Sequence, residues 1–273
     1  MKIGMFTSGY QRNSIEDIFK DAKRFGYDYI ELWGARPHAY PFDLKNGGAK
    51  EIKKLIEYYN VPVLGYTPEM NAYPYNMMLG TEAMRRESVD YVKLSMEMAK
   101  EIGADFTLIS AAHAGYEATT QEIWERLLKC MREITEHAEN IGHKVVLEAL
   151  TPYETNAVKS ANDLAEVFRL IPSENLVGMC DIVPPYVQQE SIMAYFDKLK
   201  DKMYHMHVID SDGSSDTHIM PGEGKMPLKE LMEELKEINY QGTMTIELVT
   251  AYINEPRFYA KRAINNIRAL LAD

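Results

Sequence analysis

Cysteine is scarce in this chain, with two in 273 residues. Cys130 and Cys180 fall in a predicted helix and a predicted strand, a setting that suits buried thiols and sets aside both a disulfide framework and a zinc–thiolate site. No apolar run approaches the roughly 20 residues of a membrane span, and Met1-Lys2-Ile3-Gly4 reads as the opening of a strand with no signal-peptide core. A cytoplasmic protein with no membrane partner is expected. Positive charge is also short: 30 Lys and Arg stand against 41 Asp and Glu, a net charge of −11. That balance argues against nucleic acid as a partner and favours a neutral or cationic small molecule. Finally, no Gly-x-Gly-x-x-Gly turn follows the first strand, which weighs against a doubly wound open sheet, and no low-complexity linker divides the chain.

What is present is regular. Hydrophobic residues make up 46% of the chain and charged residues 26%, enough apolar side chain for a large core. Length alone allows two small domains, but the pattern reads as one domain over 1–273. Short β-rich runs at 2–6, 28–33, 61–66, 105–110, 144–150, 176–182, 203–209 and 243–249 alternate with amphipathic stretches at 14–24, 49–59, 82–102, 120–141, 160–170, 191–198, 228–238 and 255–271. Eight alternating units call for parallel strands and close naturally into an α/β single (β/α)8 TIM barrel. Gly26, Gly103, Gly142 and Gly242 read as glycine helix stops just before strands 2, 4, 5 and 8. The segments after the strands, such as 34–46, 67–80, 111–119 and 210–227, are longer and odder in composition, and barrel enzymes carry their active sites at that end.

Four successive strands carry an ionisable residue near the carboxyl end: Glu148, Asp181, His207 and Glu247. Side-chain alternation lets each face inward, and parallel neighbours set them at similar height. One such residue alone is an ordinary strand-end acid. Three carboxylates at close range raise one another's pKa, so a single divalent metal is the economical reason for their coexistence, and an oxygen-rich set with one imidazole suits Mn²⁺, Co²⁺ or Mg²⁺. His205, two residues before His207, faces the same way and is expected to lie in a second layer or in the core.

The segments Leu147-Glu-Ala-Leu-Thr-Pro-Tyr-Glu-Thr-Asn156, Asp181, His205-Met-His207, Pro221-Gly-Glu-Gly224 and Ile246-Glu247 resemble those of the xylose-isomerase-like sugar isomerase/epimerase superfamily. Gly65-Tyr-Thr-Pro-Glu69, Tyr73-Pro-Tyr-Asn-Met-Met-Leu-Gly80, Met84-Arg-Arg-Glu-Ser88, Leu108-Ile-Ser-Ala-Ala-His-Ala-Gly-Tyr116 and Asp210-Ser-Asp-Gly213 bring the likeness to the ketose 3-epimerases, and within them to the fructoselysine 3-epimerase group. The resemblance implies interconversion of fructoselysine and psicoselysine, metal ligation by Glu148, Asp181, His207 and Glu247, and a substrate contact at Glu154. Free-ketose 3-epimerases commonly place a histidine soon after the metal aspartate and an arginine soon after the metal histidine. Pro184 and Gly213 stand there, so an N-substituted ketose fits better than a free hexulose.

Inverting C3 requires removal of the proton beside the C2 carbonyl and its return on the opposite face. A metal on O2 and O3 would stabilise the enediolate, and Glu148 and Glu247, from the outermost strands of the four, are the expected alternating base and acid. Trp33, Tyr66 and His113 are expected to line a sugar pocket, and Arg36 to meet a substrate carboxylate. Glu31 is expected in the barrel as a pocket group or an ion-pair partner. Asp210, Asp212 and Asp216 offer negative potential to an amine or cap a loop, and Glu223 is a pocket candidate that reads more as a loop organiser. Tyr73 and Tyr75 are placed over the sugar or against a neighbouring subunit of a possible homo-oligomer. Competing readings are an aldose–ketose isomerase, a metal-dependent endonuclease, which few strand-end histidines and the acidic charge disfavour, and a sugar-binding barrel without turnover.

Overall fold

Eight parallel strands close on themselves in chain order: β1 (Lys2–Phe6), β2 (Tyr29–Gly34), β3 (Val63–Pro68), β4 (Phe106–Ser110), β5 (Lys144–Glu148), β6 (Leu176–Asp181), β7 (Met203–Val208) and β8 (Thr243–Ile246), with β8 returning to β1. The computed structural model describes residues 1–70 and 74–272, so Tyr73 lies outside the described residues. Eight main helices follow the strands: α1 (Ile15–Phe25), α2 (Ala49–Tyr59), α3 (Glu82–Ile102), α4 (Thr120–Ile141), α5 (Ala161–Leu170), α6 (Met193–Leu199), α7 (Leu228–Glu237) and α8 (Pro256–Ala272). No helix among the described residues is long and apolar enough to cross a membrane.

Local chemistry sets the helix ends. Ser14, Thr81, Thr119 and Ser160 each accept from a backbone N–H in the first turn, and Thr119 with Glu122 completes a reciprocal capping box. Gly26, Gly103 and Gly142 take the left-handed conformation at the ends of α1, α3 and α4 as expected. At the end of α7 the expectation fails: Asn239, with φ 53°, takes that position, and Gly242 instead lies against the Tyr240 ring. Asparagine tolerates the left-handed region better than other residues with a Cβ, and so serves as a stop here.

The barrel interior is layered. Tyr29 fills its base beside Gly4, where a Cβ would stand 2.2 Å from the ring, and bonds Thr245 through its hydroxyl at 2.8 Å. Phe106, Leu108, Val146, Val177 and Met179 form an apolar plug. Above it lies a polar tier built on Glu31, His205 and His207, all buried. The outward faces of the strands pack against the helices in one large core that includes Ile18, Phe19, Ile134, Leu164 and Leu235. Each such apolar side chain contributes roughly 1.5–3 kcal/mol on burial. Both cysteines are buried there as free thiols.

Candidate active site

A cavity of about 270 Å³ opens at the carboxyl ends of the strands. Three of the expected quartet, Glu148, Asp181 and Glu247, line it, and His207 is buried against them. Glu148 and Asp181 are the last residues of β5 and β6, His207 lies opposite Asp181 in the β6–β7 ladder, and Glu247 follows β8 by one residue. Donor atoms of Glu148, Asp181 and His207 lie within 4.8 Å of one another. His207 Nδ1 is 2.9 Å from Glu247 Oε2 and 3.8 Å from Glu148 Oε1. The four residues expected to share a cation are thus brought together.

The other face of His207 is held from below. Its Nε2 lies 3.1 Å from Glu31 Oε1, and Glu31 Oε2 lies 3.0 Å from His205 Nε2. Thr67 donates to Glu31 at 2.7 Å, and His205 Nδ1 meets Thr243 Oγ1 at 2.7 Å. Glu31 is therefore the ion-pair partner of His207 and a hydrogen-bond partner of His205, and it does not line the cavity. A register shift between Ile30 and Glu31 and the missing side chain at Gly65 make room for it: a Cβ at Gly65 would sit 2.9 Å from Glu31 Cγ and 2.7 Å from Phe106 Cζ. His205 occupies the second layer, as expected.

Burial penalises the Glu31 charge, but His207 and His205 outweigh it and hold the carboxyl well below its usual range. For His205 burial prevails and lowers its pKa, although Glu31 opposes this. His207 is also disfavoured as a cation by burial, yet Glu31 and Glu247 carry it well above the ordinary imidazole value. Glu148 moves the other way. Burial, joined by the charges of Asp181, Glu247 and Glu154, pushes it well above the carboxylate range, with His207 opposing. It is 7% exposed and accepts no hydrogen bond from a described residue. A largely buried carboxylate among acids, next to an imidazole whose far nitrogen is already bonded to a carboxylate, is a donor set that fits a divalent cation.

A fifth group enters from the loop between β7 and α7. His218 Nε2 lies 3.2 Å from Asp181 Oδ2 and 3.3 Å from Glu247 Oε2, and the three residues form a second cluster of donors within 4.8 Å. Sequence periodicity has no hold on such a position: His218 follows His207 by a stretch of irregular chain whose fold-back no strand or helix pattern reports. Burial disfavours the charged ring, but Glu247 and Asp181 raise its pKa well above the usual value. Glu247 in turn is held low, because His207 and His218 overcome the effect of burial.

The loop that carries His218 is organised by Asp210. Its Oδ1 accepts from the backbone N–H of Ser211 and Met226, and its Oδ2 from those of Gly222 and Gly224, at 2.9–3.0 Å. A Cβ at Gly224 would stand 2.3 Å from Asp210 Oδ1, which explains the glycine of Pro221-Gly-Glu-Gly224. Asp212 bonds Ser214 and Thr217 within the loop, and Asp216 lines the cavity.

The softer expectations divide. Trp33 lines the cavity, with Nε1 donating to Glu69 at 2.6 Å. Glu154 lies at its mouth, where its Oε2 accepts from Thr151. Burial of the carboxyl and the charge of Asp216 raise Glu154 to about 7, while burial outweighs His218 at Asp216 and raises it to about 6. Four candidates lie elsewhere. Tyr66 is buried in the core and donates to Ala39 O at 2.6 Å. His113 turns its Nδ1 to the Gly115 N–H and its ring toward Tyr116. Arg36 is exposed in a pair with Asp43, and Glu223 faces Arg262 at 2.9 Å. Tyr75 is not over the cavity either; it stacks on Tyr91 at 3.7 Å. The residues around His113 organise loops: Asn76 donates to His113 O, and Asn156 bonds Ala114 N and Gly115 O, tying together the segments after β3, β4 and β5.

Comparison with known proteins agrees with this architecture. The chain is 58% identical over 273 residues to fructoselysine 3-epimerase of Escherichia coli O157:H7, covering 100% of this chain and 99% of the relative. In structure, 3-keto-D-glucoside 4-epimerase from E. coli aligns with a TM-score of 0.83 at 19% identity, over 98% of this chain and 99% of its own. The IOLI protein, solved with a bound zinc atom, aligns with a TM-score of 0.81 at 19% identity, over 100% and 97%. The model of the family described as xylose isomerase-like TIM barrels matches residues 19–270, and this chain belongs to that family.

Proposed function

We propose that this protein is a metal-dependent ketose 3-epimerase that interconverts fructoselysine and psicoselysine. The observation that carries the reading is the approach of two carboxylates, Glu148 from β5 and Glu247 from the end of β8, to one cavity around a cation-binding donor set. Full-length identity of 58% to a fructoselysine 3-epimerase supports the same reaction.

Glu148, Asp181, His207 and Glu247 would hold one divalent ion, Mn²⁺, Co²⁺ or Mg²⁺. When bound, it supplies Lewis-acid stabilisation of the charge that develops on the ketose oxygens. The chain's own groups do the rest. One of Glu148 and Glu247 takes the proton from C3, the C3–H electron pair forms the C2=C3 bond as the carbonyl π pair moves onto O2, and the other returns a proton to C3 on the opposite face as the carbonyl re-forms. Glu247 Oε2 faces His207 and His218 and would be the oxygen given to the ion, so Oε1 is the atom left for C3. Glu154 bonds a sugar hydroxyl at the mouth, and Trp33 offers an aromatic wall.

Charge favours the N-substituted substrate. The cavity is lined by Glu69, Glu148, Glu154, Asp181, Asp216 and Glu247, and no lysine or arginine lines it among the described residues. Two positive charges on a cation leave the lining acidic, which suits a ketose with a protonated amine at C1.

The test is proton exchange at C3. Metal-loaded protein incubated with fructoselysine in deuterated water is expected to place label at C3, whereas label confined to C1 would make it an aldose–ketose isomerase. Glu247→Gln is expected to lower exchange by roughly 10²–10⁴-fold with little change in substrate affinity. Undiminished exchange would remove Glu247 from proton transfer.

A further inference from the structure

Glu247 is the least supported member of the quartet. Glu148, Asp181 and His207 belong to strands β5, β6 and β7, whose ladders fix their backbones, whereas β8 stops at Ile246 and Glu247 begins irregular chain. Beyond the cation that it would share with His207, the side chains of the protein that reach its carboxylate are two imidazoles. His207 Nδ1 meets Oε2 at 2.9 Å, and His218 Nε2 reaches the same oxygen at 3.3 Å while lying 3.2 Å from Asp181 Oδ2. Asp181 is itself pinned, because its Oδ1 accepts from the Val183 N–H at 2.8 Å. His218 is therefore a strut between a fixed carboxylate and a loosely rooted one. Its side chain is only 10% exposed although it sits on a loop, and that loop is tied at its base by the four amides on Asp210. Glu247 Oε1 accepts no hydrogen bond from a described residue.

We propose that His218 is a positioning residue for the proton transfer: by bridging Asp181 and Glu247 it fixes Glu247 Oε2 and reserves Oε1 for the hydrogen at C3. This rests on the 3-epimerase reading above. In the step served, the C3–H bond breaks, the proton passes to Glu247 Oε1, the C3–H electron pair forms the C2=C3 bond and the π pair of the C2 carbonyl moves onto O2. The proton returned on the other face comes from Glu148, and the reverse direction exchanges the two roles. Without the strut, the Glu247 carboxylate is left to the cation site alone and can rotate about its last bond. Misplacement of a reacting group by about 1 Å costs on the order of 10²-fold in rate.

The experiment compares unmodified protein, His218→Ala and His218→Gln in four measurements: C3 deuterium incorporation, KM, calorimetric Mn²⁺ affinity and melting temperature. His218→Ala is expected to lower kcat by roughly 10- to 100-fold, with KM and Mn²⁺ affinity within about threefold of the unmodified protein. His218→Gln, whose amide still donates, is expected to recover part of the loss. An unchanged kcat in His218→Ala overturns the proposal. So does a fall in Mn²⁺ affinity beyond tenfold with kcat restored at saturating metal, which makes His218 a ligand. Equal damage in both variants with a lowered melting temperature makes it a scaffold residue and also overturns it. If unmodified protein places no label at C3 of fructoselysine, the epimerase reading fails first and this proposal falls with it.

Discussion

Replacing Glu31 by glutamine tests whether the buried tier beneath the cavity governs cation binding. Glu31 is fully buried and acts only as an acceptor, taking hydrogen bonds from Thr67 at 2.7 Å, His205 at 3.0 Å and His207 at 3.1 Å. A glutamine keeps the shape but has one accepting oxygen, and its –NH₂ must face one of the two imidazoles. That imidazole has to present a lone pair, which moves its proton to the opposite nitrogen. For His207 this would place a hydrogen on Nδ1, the atom turned toward Glu148 and Glu247. Even if His205 inverts in its place, His207 loses the negative partner that makes it a strong donor. Loss of such an outer carboxylate weakens metal binding by roughly 10- to 100-fold, about 1.4–2.7 kcal/mol. Titration of chelator-stripped Glu31→Gln with Mn²⁺ in a calorimeter reads this directly. A Kd within threefold of the unmodified protein, with the fold intact, would refute the link between Glu31 and the cation site.

Other outcomes follow from the same geometry. His143 is buried on Thr107, and burial lowers it to about 4, so the unfolded chain binds its proton from about pH 6.5 downward while the folded chain does not. Stability should fall between those pH values by on the order of 3 kcal/mol and show no such effect above them; His143→Gln should flatten the urea midpoint against pH, and an unchanged slope would contradict this. Gly65→Ala drives a methyl to 2.7 Å from Phe106 and 2.9 Å from Glu31, so a loss of about 1–3 kcal/mol together with weaker Mn²⁺ binding is expected by denaturation and calorimetry. Normal values for both would show that the tier yields freely. A ketose with a protonated amine at C1 should exceed a neutral hexulose by at least about tenfold in kcat/KM, the gap narrowing as salt rises; a salt-independent ratio would set the charge argument aside.

Much of this molecule is legible in its sequence because barrel construction is periodic. The ranges expected for α2, α3 and α4 coincide with those found, and all eight strands appear where β-rich runs stand. The expected strands 5 to 8 run one to three residues too long, since the chain leaves the ladder just where it turns to build the cavity. The convergence of Glu148, Asp181, His207 and Glu247 is legible for the same reason: alternation along parallel strands turns strand-end residues of one parity into the barrel. Tyr66, His113 and Arg36 stand equally close to strand ends, but their partners, Ala39 O, Gly115 N and Asp43, are set by loop paths that no periodicity encodes. His218 escapes the sequence pattern on the same ground, and the role of Glu31 is set by two histidines distant in the chain.

The four amides gathered on Asp210 make the segment between β7 and α7 a pedestal with a separable crown. Residues 212–217, short of His218, hang from a base that closes on itself, so insertions, deletions or exchanges at the tip can be absorbed without unravelling the connection to the barrel. Related chains could diversify which sugars they accept by rewriting that short arc, and directed evolution of new sugar preferences in this scaffold has its most forgiving target there.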